Sequence, residues 1–124
     1  MLVVVTSVGL AGGVSAHHSF AMFDKSRTVT LKGAVRKVEY KNPHVFLFVE
    51  VPDSASVVPD SAHAKLYAVE CASINFLLEV GWKVNTIKAG DSVTVTMHPL
   101  RDGSPGGQVN TVTLANGRVI KANP

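Results

Sequence analysis

The sequence predicts an all-β domain, mostly strand with one short helix, arranged as a small five- to six-stranded, OB-like, partly open barrel. Three observations predict it. The segment order is a long bent strand, two further strands, a helix and then two more strands, which is the order of a five-stranded Greek-key barrel. The lone helix at 73–80 stands between the third and fourth strands, where an open β-sandwich has no need of one. The first strand changes its apolar parity close to a glycine, the mark of a bulge or sharp bend in one long strand.

The elements follow in order. From Arg27, the apolar positions Val29, Leu31, Gly33 and Val35 share one face by a period of two, and the pattern then switches to Val38 and Tyr40. Asn42-Pro43 signals a turn. The nearly continuous run Val45, Phe46, Leu47, Phe48, Val49, Val51 reads as a central strand with both faces covered. Residues 52–64 carry two Pro-Asp or Asp-Ser turn clusters and read as a surface loop. A third strand spans Leu66 to Cys71. Ser73 can cap a short helix with Ile74, Leu77 and Leu78 along one side, and Gly81 can end it in a left-handed conformation. Trp82 then packs back on the core. Ala89-Gly90-Asp91 turns the chain into a fourth strand with Val93, Val95 and Met97 inward. Arg101 to Gly107 is a loop. Val109–Leu114 and Arg118–Lys121 form a hairpin around Ala115-Asn116-Gly117, where Asn-Gly is the strongest local turn signal.

At 124 residues the chain has room for one small domain with a single core. Residues 1–16 read as a signal peptide: the segment 2–16 is apolar or small, too short to span a bilayer, and ends in Val14-Ser15-Ala16, a signal-peptidase pattern, although no Lys or Arg precedes the apolar run. Cleavage there makes His17 the first residue of a mature protein with an arm over 17–26 and a single domain over 27–124, periplasmic or secreted, with no stable membrane insertion once the leader is gone. The 12 basic and 9 acidic residues are scattered, so no nucleic-acid footprint is established. The single cysteine, Cys71, has no partner for an internal disulfide and reads as a small buried hydrophobe.

The stretches AHHSFAMFD (16–24), KNPHVFLFVEV (41–51), LEVGWKVNTIKAGDSVTV (78–95) and HPLRDGSPGG (98–107) together resemble a family of small exported bacterial proteins, a domain of unknown function of the DUF6152 type. The motifs are His-His-Ser after the leader, Asn-Pro-His between the first two strands, Gly-Trp after the helix, and Arg-Asp-Gly-Ser before the last strands. The resemblance implies export and a small β-barrel, and it implies no established activity. Ser73-Ile74 stands where the family pattern has Ser-Pro, which touches only the helix boundary.

Chemistry must therefore come from the residues. A free amine and ring at His17, joined by His18 and by His44 from the Asn-Pro-His turn, form a nitrogen donor set suited to copper first and zinc second. An N-terminal histidine that chelates in this way is similar to the histidine brace of lytic polysaccharide monooxygenases, but a domain this small lacks the large flat face such enzymes need. Ten residues of arm reach roughly 30 Å, enough to fold back toward His44. Asp24 and Asn42 are candidate supporting partners of that site. The bland alternative makes His17 and His18 a polar terminus and His44 a turn residue bonded to backbone.

The loop from His98 through Arg101, Asp102 and Ser104 is a candidate ligand loop, since such barrels hold ligands with the loop between strands four and five. Its competing reading is a glycine-rich turn in which Arg101 and Asp102 pair with each other. It lacks the Gly-Lys-Ser/Thr ending of a phosphate loop. His63 reads as solvated. No nucleophile with an oriented base is recognisable, so no catalytic residue is assigned. Phe46, Phe48 and Tyr67 read as core rather than as stacking platforms for nucleic acid. The sequence thus points to a non-enzymatic exported binding protein. Either it binds copper or zinc through His17, His18 and His44, or it is a metal-free envelope module that takes a protein or small ligand with the 98–107 loop and the 41–44 turn.

Overall fold

The computed structural model describes residues 21–53 and 64–124. Within them, β1 (Val29–Glu39), β2 (Phe46–Val51), β3 (Lys65–Glu70), α1 (Ile74–Glu79), β4 (Ser92–Pro99), β5 (Gly106–Leu114) and β6 (Val119–Lys121) follow in chain order. The organising element is β1, which belongs to two half-sheets. Its first half pairs antiparallel with β4, from Val29–Met97 to Ala34–Ser92, and its second half with β2, from Ala34–Glu50 to Glu39–Phe46.

The register slips between Val35 and Lys37, so the bulge falls at Arg36, three residues past the glycine beside which the parity pattern placed it. The glycine has a different task. A Cβ on Gly33 would press into the Glu50 carbonyl and the Val49 side chain, so only glycine lets β2 approach there.

β2 pairs antiparallel with β3, and β4 with β5. The circuit closes where β3 runs parallel to β5 over Ala68–Gly106, Val69–Gly107 and Glu70–Gln108. The result is a closed five-stranded barrel in the order β1-β2-β3-β5-β4, with β6 added to β5. A path around the wall from Glu39 through Phe46, Glu70, Gln108 and His98 returns to β1 near its opposite end. That stagger tilts the strands and fixes the barrel's girth.

Alternate residues fill the interior: Leu31 and Val35, Leu47 and Val49, Val69, then Val93, Val95 and Met97, then Val109 and Val112, all buried. Each such aliphatic side chain contributes about 1.5–3 kcal/mol on burial. Ser73 caps α1, its hydroxyl accepting from the Phe76 N–H at 3.4 Å, and Gly81 ends the turn at φ +98°. Leu77 is buried, but Leu78 is half exposed and does not join the packed side assigned to it. Trp82 packs back on the core as expected, and its indole N–H donates to the Lys121 carbonyl at 2.8 Å.

The 41–51 run is not covered on both faces. Leu47 and Val49 are fully buried, whereas Phe46 and Phe48 point outward and are half-buried. The 52–64 loop lies mostly outside the described residues.

Two outcomes test this architecture. Gly33→Ala should destabilise the domain by about 1–3 kcal/mol in a denaturant titration, as overpacking against rigid backbone does. Cys71 is fully buried, and burial pushes its thiol well above the ordinary range. A maleimide should therefore label it only as fast as the chain unfolds, and rapid labelling of folded protein would contradict the packing.

Candidate functional site

The Asn42–His44 turn joins β1 to β2 and is anchored from three directions. Its Asn42-Pro43 bond is cis. The Asn42 side-chain oxygen accepts from the Ile74 N–H at 3.2 Å, one of the free donors at the start of α1, so the turn is pinned to the helix. Val45 exchanges backbone bonds with Cys71 and Ala72, and Ala72 donates to the Ala122 carbonyl at 2.8 Å. Asn123 then ties the chain's end to the Glu70 and Val109 carbonyls. Turn, helix start, β3 and C-terminal residues meet at one point.

His44 stands on this base with its side chain 41% exposed. Its Nδ1 lies 3.3 Å from the Cys71 carbonyl and 3.2 Å from Glu70 Oε1. Both neighbours accept, so Nδ1 carries the proton. The lone pair of the neutral ring is then on Nε2. A carboxylate behind Nδ1 is the arrangement that orients a metal-ligating imidazole. Glu70 is not among the residues that the sequence singles out. The register Phe46–Glu70, which sets it beside the turn, becomes visible only when β2 and β3 pair.

His98 is differently placed. Its Nδ1 donates to the Arg27 carbonyl at 2.7 Å, and Nε2 accepts from the Asn110 amide at 3.3 Å. Both nitrogens are engaged, so the ring is a strut between Arg27, ahead of β1, and β5, with no lone pair left for a metal. Two strands stand between His98 and Glu70's neighbour Phe46 along the wall, about 14 Å at normal strand spacing. His44 and His98 therefore do not share a site.

The β4–β5 loop corrects a second expectation. Arg101 does not pair with Asp102. Its Nε donates to the Ala21 carbonyl at 3.1 Å, and its backbone N–H donates to the Met22 carbonyl at 2.9 Å. Asp102 instead accepts from the Ser104 N–H at 2.9 Å, a bond that holds its carboxyl below the usual range. The arm is thus seated on the end of β4: Phe23, buried, bridges Leu100, and Asp24 N–H donates to Pro99. Lys25 reaches Gln108. The Asp24 carboxylate accepts from the Ser26 hydroxyl and N–H, which lowers its pKa and closes a small turn in the arm. Asp24 and Asn42 are therefore supports of backbone and not free ligands.

Beside His44, the outer wall of β2 and β3 carries the half-buried Phe46 and Phe48 and the half-exposed Leu66, with Ala68 opposite Phe48. Lys37 lies over the Phe48 ring at 5.5 Å. The rim is charged, with Arg36 forked onto Glu50 at 2.6 and 2.7 Å and Lys37 on Glu39 at 2.8 Å. The Ala68 N–H donates to the Pro105 carbonyl, bringing the β4–β5 loop to the edge of this wall.

Among the described residues no group of three or more His, Cys, Asp or Glu side chains is arranged to hold a metal ion. Among them, too, no helix is long and apolar enough to cross a membrane. His17, His18 and His63 lie outside the described residues.

No curated protein and no solved structure matches the chain. One family model matches residues 4–110, most of the sequence. This small barrel, with its Asn-Pro-His turn braced by Glu70, belongs to the family of unknown function designated DUF6152.

Proposed function

We propose that this chain is an exported, non-enzymatic binding protein that takes a copper ion, with zinc as the weaker alternative, at the rim of its barrel. His44 supplies Nε2 from the fold, and the mature chain end supplies the amine and rings of His17 and His18. The observation that carries this reading is the state of His44: Nδ1 lies against Glu70 and the Cys71 carbonyl, which leaves Nε2 as the ring's other nitrogen, on a side chain that is 41% exposed. Neutral nitrogen donors suit copper and zinc, and affinity rises toward copper.

The arm supports it. Residues 21 and 22 are held at Arg101, and the three residues from there to His18 span up to about 10 Å. Lys25 reaches Gln108, which pairs with Glu70 in β3, so the arm is seated one strand from the carboxylate beside His44.

Calorimetric titration of the protein with a free His17 by Cu(II) tests the reading. Binding should be tighter than that of a short His-His peptide, weaken at least about tenfold in His44→Ala, and fall at acid pH as protons compete for the donors. An added N-terminal residue should weaken it as well. Peptide-like affinity that ignores His44 would end the proposal.

A second reading rests on a separate observation, the outward Phe46–Phe48 wall between the 41–44 turn and the β4–β5 loop. That is the face OB-like barrels use for ligands. A metal-free envelope module using it would capture its partner with chelator present and lose it in Phe46→Ser/Phe48→Ser. Capture that requires copper would favour the first reading.

A further inference from the structure

The bend in β1 has a second product, at the ends of β2 and β3 remote from His44. Past Gly33 the first half of β1 follows β4, while β2 and β3 continue together without it. The two halves of the wall diverge and leave a cleft of about 650 Å³, within the size range of small-molecule sites. Among the described residues, Thr30, Leu31 and Lys32 line one lip and Val51, Pro52, Asp53, Lys65 and Tyr67 the other.

The lining sorts by strand parity. Leu31 is on the interior face of β1, and Tyr67 shares the interior face of β3 with the buried Val69. Lys65 has the same parity as Tyr67. A strand that turns apolar residues inward thus turns a cation inward at its first position. Neither Lys65 nor Lys32, on the opposite lip, has an ion pair among the described residues, whereas Asp53 is already engaged.

An apolar floor with an unpaired ammonium on one lip, at Lys65, selects by two criteria together. It favours apolar bulk, which the floor removes from water. It favours a single negative charge, which that amine attracts and which a neutral molecule of the same shape lacks. We propose that this cleft binds an apolar molecule carrying one anionic group, a carboxylate or a sulfonate, with the anion at Lys65 and the apolar body against Leu31, Val51 and Tyr67. The site is independent of the histidine rim and needs no metal.

The test uses two fluorescent probes of the same ring system, 1-anilinonaphthalene-8-sulfonate and the neutral N-phenyl-1-naphthylamine, titrated into the folded protein in the presence of a chelator. The sulfonate should bind saturably and more tightly than the neutral probe, and salt should weaken only the sulfonate. Lys65→Met should raise the Kd of the sulfonate about fivefold, the scale of a partly solvated charge contact, and leave the neutral probe unchanged. Thr30→Trp, at an exposed position on the lip, should block both probes, and circular dichroism verifies that each variant is folded. Phe48→Ser should change neither. Equal affinity for the two probes, indifference to Lys65→Met, absence of saturable binding, or loss of binding in Phe48→Ser would each overturn the proposal; the last would move the probe to the outer wall.

Discussion

The contact on which the molecule depends is the approach of the β1 backbone to the Glu50 carbonyl at Gly33. A side chain there would hold the strands apart, and β1 could not pass from one partner to the other within a single residue. Because it can, one strand serves two half-sheets, and five strands close on themselves. The same hand-over makes the two ends of the barrel unlike. At one end the strands converge on the turn that carries His44 and are sealed by α1. At the other they part and leave the cleft. One steric permission, granted by the absence of a single methyl-sized group, sets both candidate sites at once.

At the histidine end the chemistry is a matter of which nitrogen is occupied. Two rings were singled out on strand ends, and their surroundings decide between them. His98 spends both nitrogens on structure, one on the Arg27 carbonyl and one on Asn110. His44 spends one and presents the other. Glu70, with only 12% of its side chain exposed, is held close enough to keep that assignment. A carboxylate so placed sets a negative charge behind the ring, and a cation is what such a charge favours. The lysine-lined cleft at the far end has the opposite preference.

Much of this was legible in the sequence, and the failures have physical reasons. The alternation of Val93, Val95 and Met97, the Ser73 cap and Gly81 stop, and the Asn116-Gly117 hairpin are local signals, and the fold uses each as written. The barrel order followed from them. Phe46 and Phe48 were misassigned because an apolar run hides its own parity. Glu50, two positions beyond Phe48, lies on their face and marks it as the outer one. Leu78 was assigned to a packed side that a six-residue helix is too short to provide. Arg101 was expected to choose its sequence neighbour, but its partner, the Ala21 carbonyl, arrives from eighty residues away. Long-range meetings of this kind, Glu70 with His44 among them, leave no trace in spacing. His17 and His18 lie outside the described residues.

The tail of the chain gives the fold a dependence that kinship does not reveal. The family match ends at residue 110, yet Trp82 lends its indole hydrogen to Lys121, Ala72 leans on Ala122, and Asn123 laces β3 to β5. A fragment trimmed to the shared boundary would keep every recognisable motif and lose the clasp beneath them, stranding a tryptophan with nothing to hold. In this protein the stretch that the family model matches and the stretch whose bonds complete the fold are different lengths of chain.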